Sequence, residues 1–152
     1  MTTPPIRFTL DASVVMNAFN PAEAGHAISF QLQTAIQSQA IPVFVPTLLL
    51  TEVAATIARV LGDTPGARDF VLRLSRLPYL RFASFTRPLA LTAANLAAEY
   101  RLRGADAVYV AVARQFGTTL VTLDDQQRTR AATSVNMRTP AEALAELVPP
   151  TP

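Results

Sequence analysis

Cysteine is absent from this 152-residue chain, and so is lysine. The first absence excludes disulfides, thiolate zinc sites, iron–sulfur clusters and a cysteine nucleophile. The second excludes a P-loop lysine and Schiff-base chemistry, since all 13 basic residues are arginine. There is one histidine, His26, so a histidine metal cage is excluded and a serine–histidine–aspartate triad would have to use that residue. Long apolar runs are lacking too. The longest, Ala107–Ala113, falls far short of the roughly 20 residues that span a membrane. The stretch from Met1 to Pro5 has neither the charged nor the apolar part of a secretory signal. These absences lead to the expectation of a soluble, cytoplasmic protein.

What is present is enough for a core. Half of the residues are apolar, which excludes a disordered chain. The length suits one domain that buries roughly two thirds of its unfolded surface. We expect a single domain over residues 1–152, with its core from about Ile6 to Leu147 and frayed ends at Thr2–Pro5 and Pro149–Pro152. The net charge of +2 is mild, and the pI of about 9.7 reflects arginines that never titrate in range. That balance permits an anionic partner without demanding one.

Apolar patterning and punctuation give the elements. Ile6–Leu10, Val43–Val45 (ended by Pro46), Leu80–Phe85, Thr119–Leu123 and Ser134–Arg138 read as strands. Asn20 followed by Pro21 reads as a cap and a first helical residue, opening a helix to Ser38. Further helices are expected at Thr47–Leu61 with Gly62 as its stop, Thr64–Leu77, Pro88–Arg101, Ala105–Phe116, Asp124–Ala132 and Pro140–Leu147. Short apolar strands alternating with helices imply an α/β domain, a central parallel sheet covered on both faces in three α/β/α layers. In such sheets function gathers beyond the carboxyl ends of the strands.

Four of the acidic residues occupy places that draw attention. Asp11 follows the first strand, and Asp124 follows the strand Thr119–Leu123. Asp106 opens an otherwise apolar helix, and Glu52 lies within another. Each has an ordinary explanation: the three aspartates as helix N-caps, Glu52 as a solvent-facing side chain. Asp125, Glu23, Asp63, Asp69, Glu99, Glu142 and Glu146 read as surface or helix-end charges. Taken together, however, the four would meet at one edge of a parallel sheet. Unpaired, they would repel by roughly 1–4 kcal/mol per close pair. A divalent cation would relieve that repulsion, and an all-oxygen site selects Mg2+ or Mn2+. Ser13 and Thr122 add hydroxyls able to orient a carboxylate or a water. His26, on a helix with Ile28, Phe30, Leu32 and Ile36, reads as a surface or partly packed residue.

The ordered set Leu10-Asp11-Ala12-Ser13, Leu50-Thr51-Glu52-Val53, the helix start Gly104-Ala105-Asp106-Ala107-Val108-Tyr109, and Leu120-Val121-Thr122-Leu123-Asp124 resembles a PIN domain. It is most similar to the VapC-type toxins of bacterial toxin–antitoxin pairs, over about Ile6 to Leu147. The resemblance implies a metal-dependent endoribonuclease with Asp11, Glu52, Asp106 and Asp124 as its catalytic and metal-binding quartet. Ser13 and Thr122 match accessory positions, and Asp125 is a further accessory acid. Mg2+ or Mn2+ would activate water and stabilise charge on the phosphate during in-line attack. Arg103, Arg128 and Arg130 flank Asp106 and Asp124 and are candidates for contacting RNA; solvated surface charge is the alternative for each. The family also implies a homodimer and a cognate VapB-type antitoxin.

Other readings of such a sheet fit less well. A receiver domain needs paired early acids and a late lysine. A haloacid-dehalogenase-like phosphatase needs an aspartate where Ser13 stands, and a dinucleotide-binding turn needs glycines that the segment after Asp11 lacks. Two alternatives keep the PIN fold: a non-catalytic RNA-binding or interaction module, and a nuclease of RNA maturation outside a toxin–antitoxin pair.

Overall fold

The computed structural model describes residues 2–148; the fraying expected at Pro149–Pro152 lies outside them. Thr2–Pro5 are exposed and form no regular element. Five strands, β1 (Phe8–Leu10), β2 (Val43–Pro46), β3 (Leu80–Ala83), β4 (Thr119–Val121) and β5 (Met137–Arg138), form one sheet in the order β3-β2-β1-β4-β5. Every pairing is parallel. The helices are α1 (Ala12–Phe19), α2 (His26–Ser38), α3 (Leu48–Leu61), α4 (Thr64–Leu74), α5 (Arg87–Tyr100), α6 (Gly104–Phe116), α7 (Asp125–Ala131) and α8 (Pro140–Leu147). Helices cover both faces of the sheet, giving the expected three-layer α/β/α arrangement.

The central strand β1 is buried on both faces. Phe8, Thr9 and Leu10 are all buried, and the Thr9 hydroxyl finds a partner in Thr118 Oγ1 at 2.6 Å. This satisfies a polar group that burial would otherwise penalise. The apolar run Ala107–Ala113 becomes the centre of α6, buried along its whole length and packed on β1, β2 and β4.

Local chemistry sets most boundaries where the sequence puts them. Gly62 and Gly117 take left-handed conformations that close α3 and α6. Thr139 and Glu142 form a capping box that opens α8. Several expected strands are shorter than their apolar runs, and β2 runs one residue further, to Pro46, paired with Ala83.

The segment between Asp11 and His26 differs from its sequence reading. Residues 12–19 form α1, a helix the apolar pattern did not announce, with Asp11 as its N-cap. Asn20 closes α1 instead of opening the next helix. Pro21 to Gly25 form a loop, and α2 begins only at His26 after Gly25 in a left-handed conformation. The cause lies in the tertiary structure. The buried Asn17 amide Nδ2 donates to Ala24 O at 2.8 Å and to Glu23 Oε2 at 3.1 Å, pinning the loop onto α1. His26 Nδ1 adds a 2.8 Å hydrogen bond with Asn17 O, so the histidine is a partly buried packing residue.

The topology fixes where chemistry belongs. From β1 the chain builds outward through β2 to β3, then returns by way of α5 and α6 to lay β4 on the other side of β1. The order therefore reverses between β1 and β4. A crevice opens at such a reversal, beyond the carboxyl ends of the two strands.

Candidate active site

That crevice is a cleft of about 450 Å3 whose lining includes Asp11, Ser13, Glu52, Arg103, Asp106 and Asp124. The four acids come from four separate elements. Asp11 ends β1 and caps α1, while Asp124 follows β4 and caps α7. Asp106 lies in the first turn of α6, and Glu52 lies in the second turn of α3.

The capping and convergence readings both hold at Asp11 and Asp124. Asp124 Oδ1 accepts from the backbone N–H of Gln126 (2.9 Å) and Gln127 (3.1 Å), whereas its Oδ2 accepts from Arg103 at 2.5 Å. One oxygen closes the helix and the other faces the cleft. Asp11 Oδ2 similarly accepts from Ser13 N at 3.0 Å, leaving its second oxygen for the cleft. Asp106 is not a cap; Arg103 holds that position on α6. The positive ends of α1, α6 and α7 therefore all point at this group of carboxylates and offset part of its charge.

Asp11 is only 7% exposed. Burial raises its pKa above the ordinary 3.8, and the charges of Asp106 and Asp124 push the same way, against the hydrogen bonds with Ser13. Burial also raises Glu52, with Asp11 and Asp106 adding to the effect and the Tyr109 hydrogen bond opposing it. The fully buried Tyr109 donates its hydroxyl to Glu52 Oε1 at 2.7 Å. Burial and the Glu52 charge hold Tyr109 in its neutral, donating form.

The remaining expected residues fall into different places. Ser13 lines the cleft, and its Oγ accepts from Leu123 N at 3.3 Å, tying α1 to the turn after β4. Thr122 is fully buried behind the cleft, where its Oγ1 accepts from Asp124 N at 3.1 Å and shapes the turn. Asp125 has an 86% exposed side chain paired with Arg128 and does not line the cleft. Arg128 also donates to Thr122 O at 3.1 Å, and Arg130 donates to Arg101 O at 2.7 Å. Both brace the backbone around the site. Of the three arginines named from the sequence, Arg103 alone lines the cleft.

Three contributors escaped the sequence reading. Glu23, read as a surface charge, lines the cleft because Asn17 holds its loop there. Tyr109, fully buried in α6, orients Glu52 through its hydroxyl. The buried Gln127 donates to Asp106 O at 3.3 Å and fastens α7 to α6. Tyr109 sits one turn after Asp106 in the sequence pattern, so its spacing was visible; its partner was not.

The donor set is hard oxygen throughout, which suits Mg2+ or Mn2+ and not a soft metal. A buried Asp11 beside two further carboxylates is the electrostatic setting that a divalent cation relieves. Among the described residues no three acidic or histidine side chains are drawn together tightly enough to hold an ion as they stand. Instead Arg103 spans Asp106 and Asp124. By the chemistry of its donors the site fits a divalent cation.

The sequence profile of the PIN domain matches residues 8–132, most of the chain and all four acids. The chain belongs to the PIN domain family. Solved structures share the PIN fold at low sequence identity. VapBC2 from Rickettsia felis, bound to a DNA fragment from their promoter, matches with a TM-score of 0.67 at 12% identity, covering 88% of this chain and 98% of that one. VapC20 of Mycobacterium tuberculosis, a sarcin–ricin loop cleaving toxin, gives 0.67 at 21% identity, covering 80% and 93%. PAE2754 from Pyrobaculum aerophilum gives 0.67 at 17% identity, covering 93% and 95%. No curated protein matches the chain. In this PIN domain no helix among the described residues is long and apolar enough to cross a membrane.

Proposed function

We propose that this PIN domain is a divalent-metal-dependent endoribonuclease, acting in the cytoplasm as the toxin of a toxin–antitoxin pair. The observation that carries the reading is the meeting of Asp11, Glu52, Asp106 and Asp124 in one cleft at the β1–β4 reversal. Such a grouping is costly without a cation and useful with one.

Asp11, Asp106 and Asp124 would hold Mg2+ or Mn2+, with Glu52 beside them. The bound ion would supply activation of water and stabilisation of charge on the phosphate during hydrolysis. The chain's own residues do the rest. Asp11 and Asp124 are held by their capping bonds, which leave the second oxygen of each outside the cap; that of Asp124 is the one Arg103 holds. Glu52, held by Tyr109 and raised in pKa, is poised to accept a proton from an attacking water. The Ser13 bond to Leu123 keeps the loops after β1 and β4 in register. The Arg103 guanidinium supplies positive charge at the mouth of the cleft.

RNA as substrate is supported by the fold shared with VapC20. A VapB-type antitoxin as inhibitor is supported by the fold shared with VapBC2. Assembly as a homodimer belongs to the same reading. An acidic cleft of this kind suits a basic inhibitory peptide.

The test is cleavage of a mixed RNA pool with Mn2+, Mg2+ or chelator, beside an identically purified Asp106→Asn variant. Cleavage by the wild type alone, abolished by chelator, is the expected result. Equal activity in both proteins, or none in antitoxin-free wild type, would overturn the assignment.

A further inference from the structure

Arg103 occupies the place in the cleft where a cation is needed. Its Nε donates to Asp106 Oδ2 at 2.9 Å, and its Nη2 donates to Asp124 Oδ2 at 2.5 Å. One guanidinium therefore joins the acid of α6 to the acid that caps α7. Its seating is unlike that of the neighbouring arginines. Arg128 and Arg130 each donate to a backbone carbonyl, while among the described residues Arg103 bonds only to the two carboxylates, and its side chain is 75% exposed. Exposed ion pairs are weak, each shifting an equilibrium by a factor of about 1.5 to 5. This cation is thus in the right place and easily displaced.

The two oxygens that Arg103 holds belong to carboxylates that a divalent ion would also need. Both cations cannot have the same lone pairs at full strength. The guanidinium fork is also well matched to phosphate, so once displaced it has a second use within reach of the acids.

We infer that Arg103 is a tethered counter-cation that exchanges with the divalent ion, joining Asp106 to Asp124 in the metal-free cleft and turning to a phosphodiester of the RNA strand once the ion is bound. This inference rests on the metal-ribonuclease reading above. It gives one residue two effects of opposite sign: Arg103 weakens metal binding and strengthens RNA binding. A residue that merely supported the fold would weaken both when removed.

The experiment measures Mn2+ affinity from the free-ion electron paramagnetic resonance signal for wild type, Arg103→Gln, Arg103→Lys and Arg101→Gln. Arg101 is a nearby exposed arginine whose side chain does not line the cleft, so its variant removes the same charge without touching the acids. Binding of a labelled oligoribonucleotide is measured in Ca2+ by fluorescence anisotropy. We expect Arg103→Gln to bind Mn2+ about three- to tenfold more tightly and RNA at least fivefold more weakly, with a salt slope reduced by about one phosphate contact. Arg103→Lys should fall between the two, since it keeps the charge and loses the fork. Unchanged or weaker Mn2+ binding in Arg103→Gln overturns the exchange, as does equal tightening in Arg101→Gln. Unchanged RNA affinity overturns the second role. If even the wild type binds no Mn2+, the inference falls together with the metal-ribonuclease reading; if it binds Mn2+ and Arg103→Gln binds it no more tightly, the inference falls alone.

Discussion

The Tyr109 hydroxyl donates to Glu52 Oε1 at 2.7 Å, joining the buried helix α6 to the α3 wall of the cleft. The acid is fixed by a residue 57 positions away that cannot ionise where it lies. Tyr109→Phe removes the bond and leaves the ring's packing in place. Such supporting partners are worth about 10- to 100-fold in activity or metal affinity. We expect RNA cleavage to fall within that range and the melting temperature to change little. The bond lowers the Glu52 pKa, so the acid limb of the pH–rate profile should move to higher pH in the variant. A profile that stays in place would deny Glu52 a proton-transfer role.

Asp124 separates capping from chemistry. Asn caps a helix about as well as Asp, whereas Ala loses about 1 kcal/mol. Asp124→Asn should therefore melt near the wild type, and Asp124→Ala should melt lower by about 2–4 °C. Both should lose cleavage to the same extent. A cleavage-competent Asp124→Asn variant would remove that carboxylate from the site.

The raised pKa values of Asp11 and Glu52 set a pH dependence of stability with a definite sign. A carboxyl group whose pKa is higher folded than unfolded binds more protons in the native state between the two values. Stability then falls as pH rises from the ordinary values, 3.8 for Asp11 and 4.5 for Glu52, through the raised ones. In chelator, thermal melts should fall from mildly acidic pH toward neutral, and Asp11→Asn should flatten that fall. Millimolar Mg2+ or Mn2+ should restore the melting temperature at neutral pH, because the ion binds only the folded cleft. A melting temperature indifferent to the ion at neutral pH would contradict the metal assignment.

Asn17 predicts a structural effect. Its buried amide satisfies Ala24 O and holds Glu23 at the cleft. Asn17→Ala should cost about 0.5–1.5 kcal/mol, because its hydrogen bonds are lost while the exposed Glu23 and Ala24 return to water. Protease nicking or hydrogen exchange should localise the loosening to residues 20–25. Protection unchanged in that loop would show that Asn17 does not secure it.

Asp125 provides a contrast. Its exposed side chain pairs with Arg128 and stands outside the cleft. Asp125→Ala should change stability by less than about 0.5 kcal/mol and leave cleavage close to wild type. A large loss of cleavage would restore the accessory role that its place beside Asp124 suggests.

Much of this protein was fixed locally and so was readable from the chain. The apolar run Ala107–Ala113 was marked for burial, Gly62 marked the stop of a helix, and Pro140–Leu147 read as a helix and is one. Strands alternating with helices demanded a parallel sheet, and such a sheet brings Asp11 and Asp124 to one edge. Elsewhere the local signal pointed the wrong way. Asn20-Pro21 has the chemistry of a helix start, yet the Asn17 amide, reaching six and seven residues along the chain, made that stretch a loop and carried Glu23 to the cleft. Nothing in the local sequence marked Arg128 and Arg130 as braces or Arg103 as the bridge between two acids. Periodicity, capping and turn chemistry act within a few residues, so sequence alone determined most of the elements, α1 excepted, and the order of the acids. Which side chain meets which across the cleft depends on the relative placement of α3, α6 and α7, and only the packed sheet and its helices decided that.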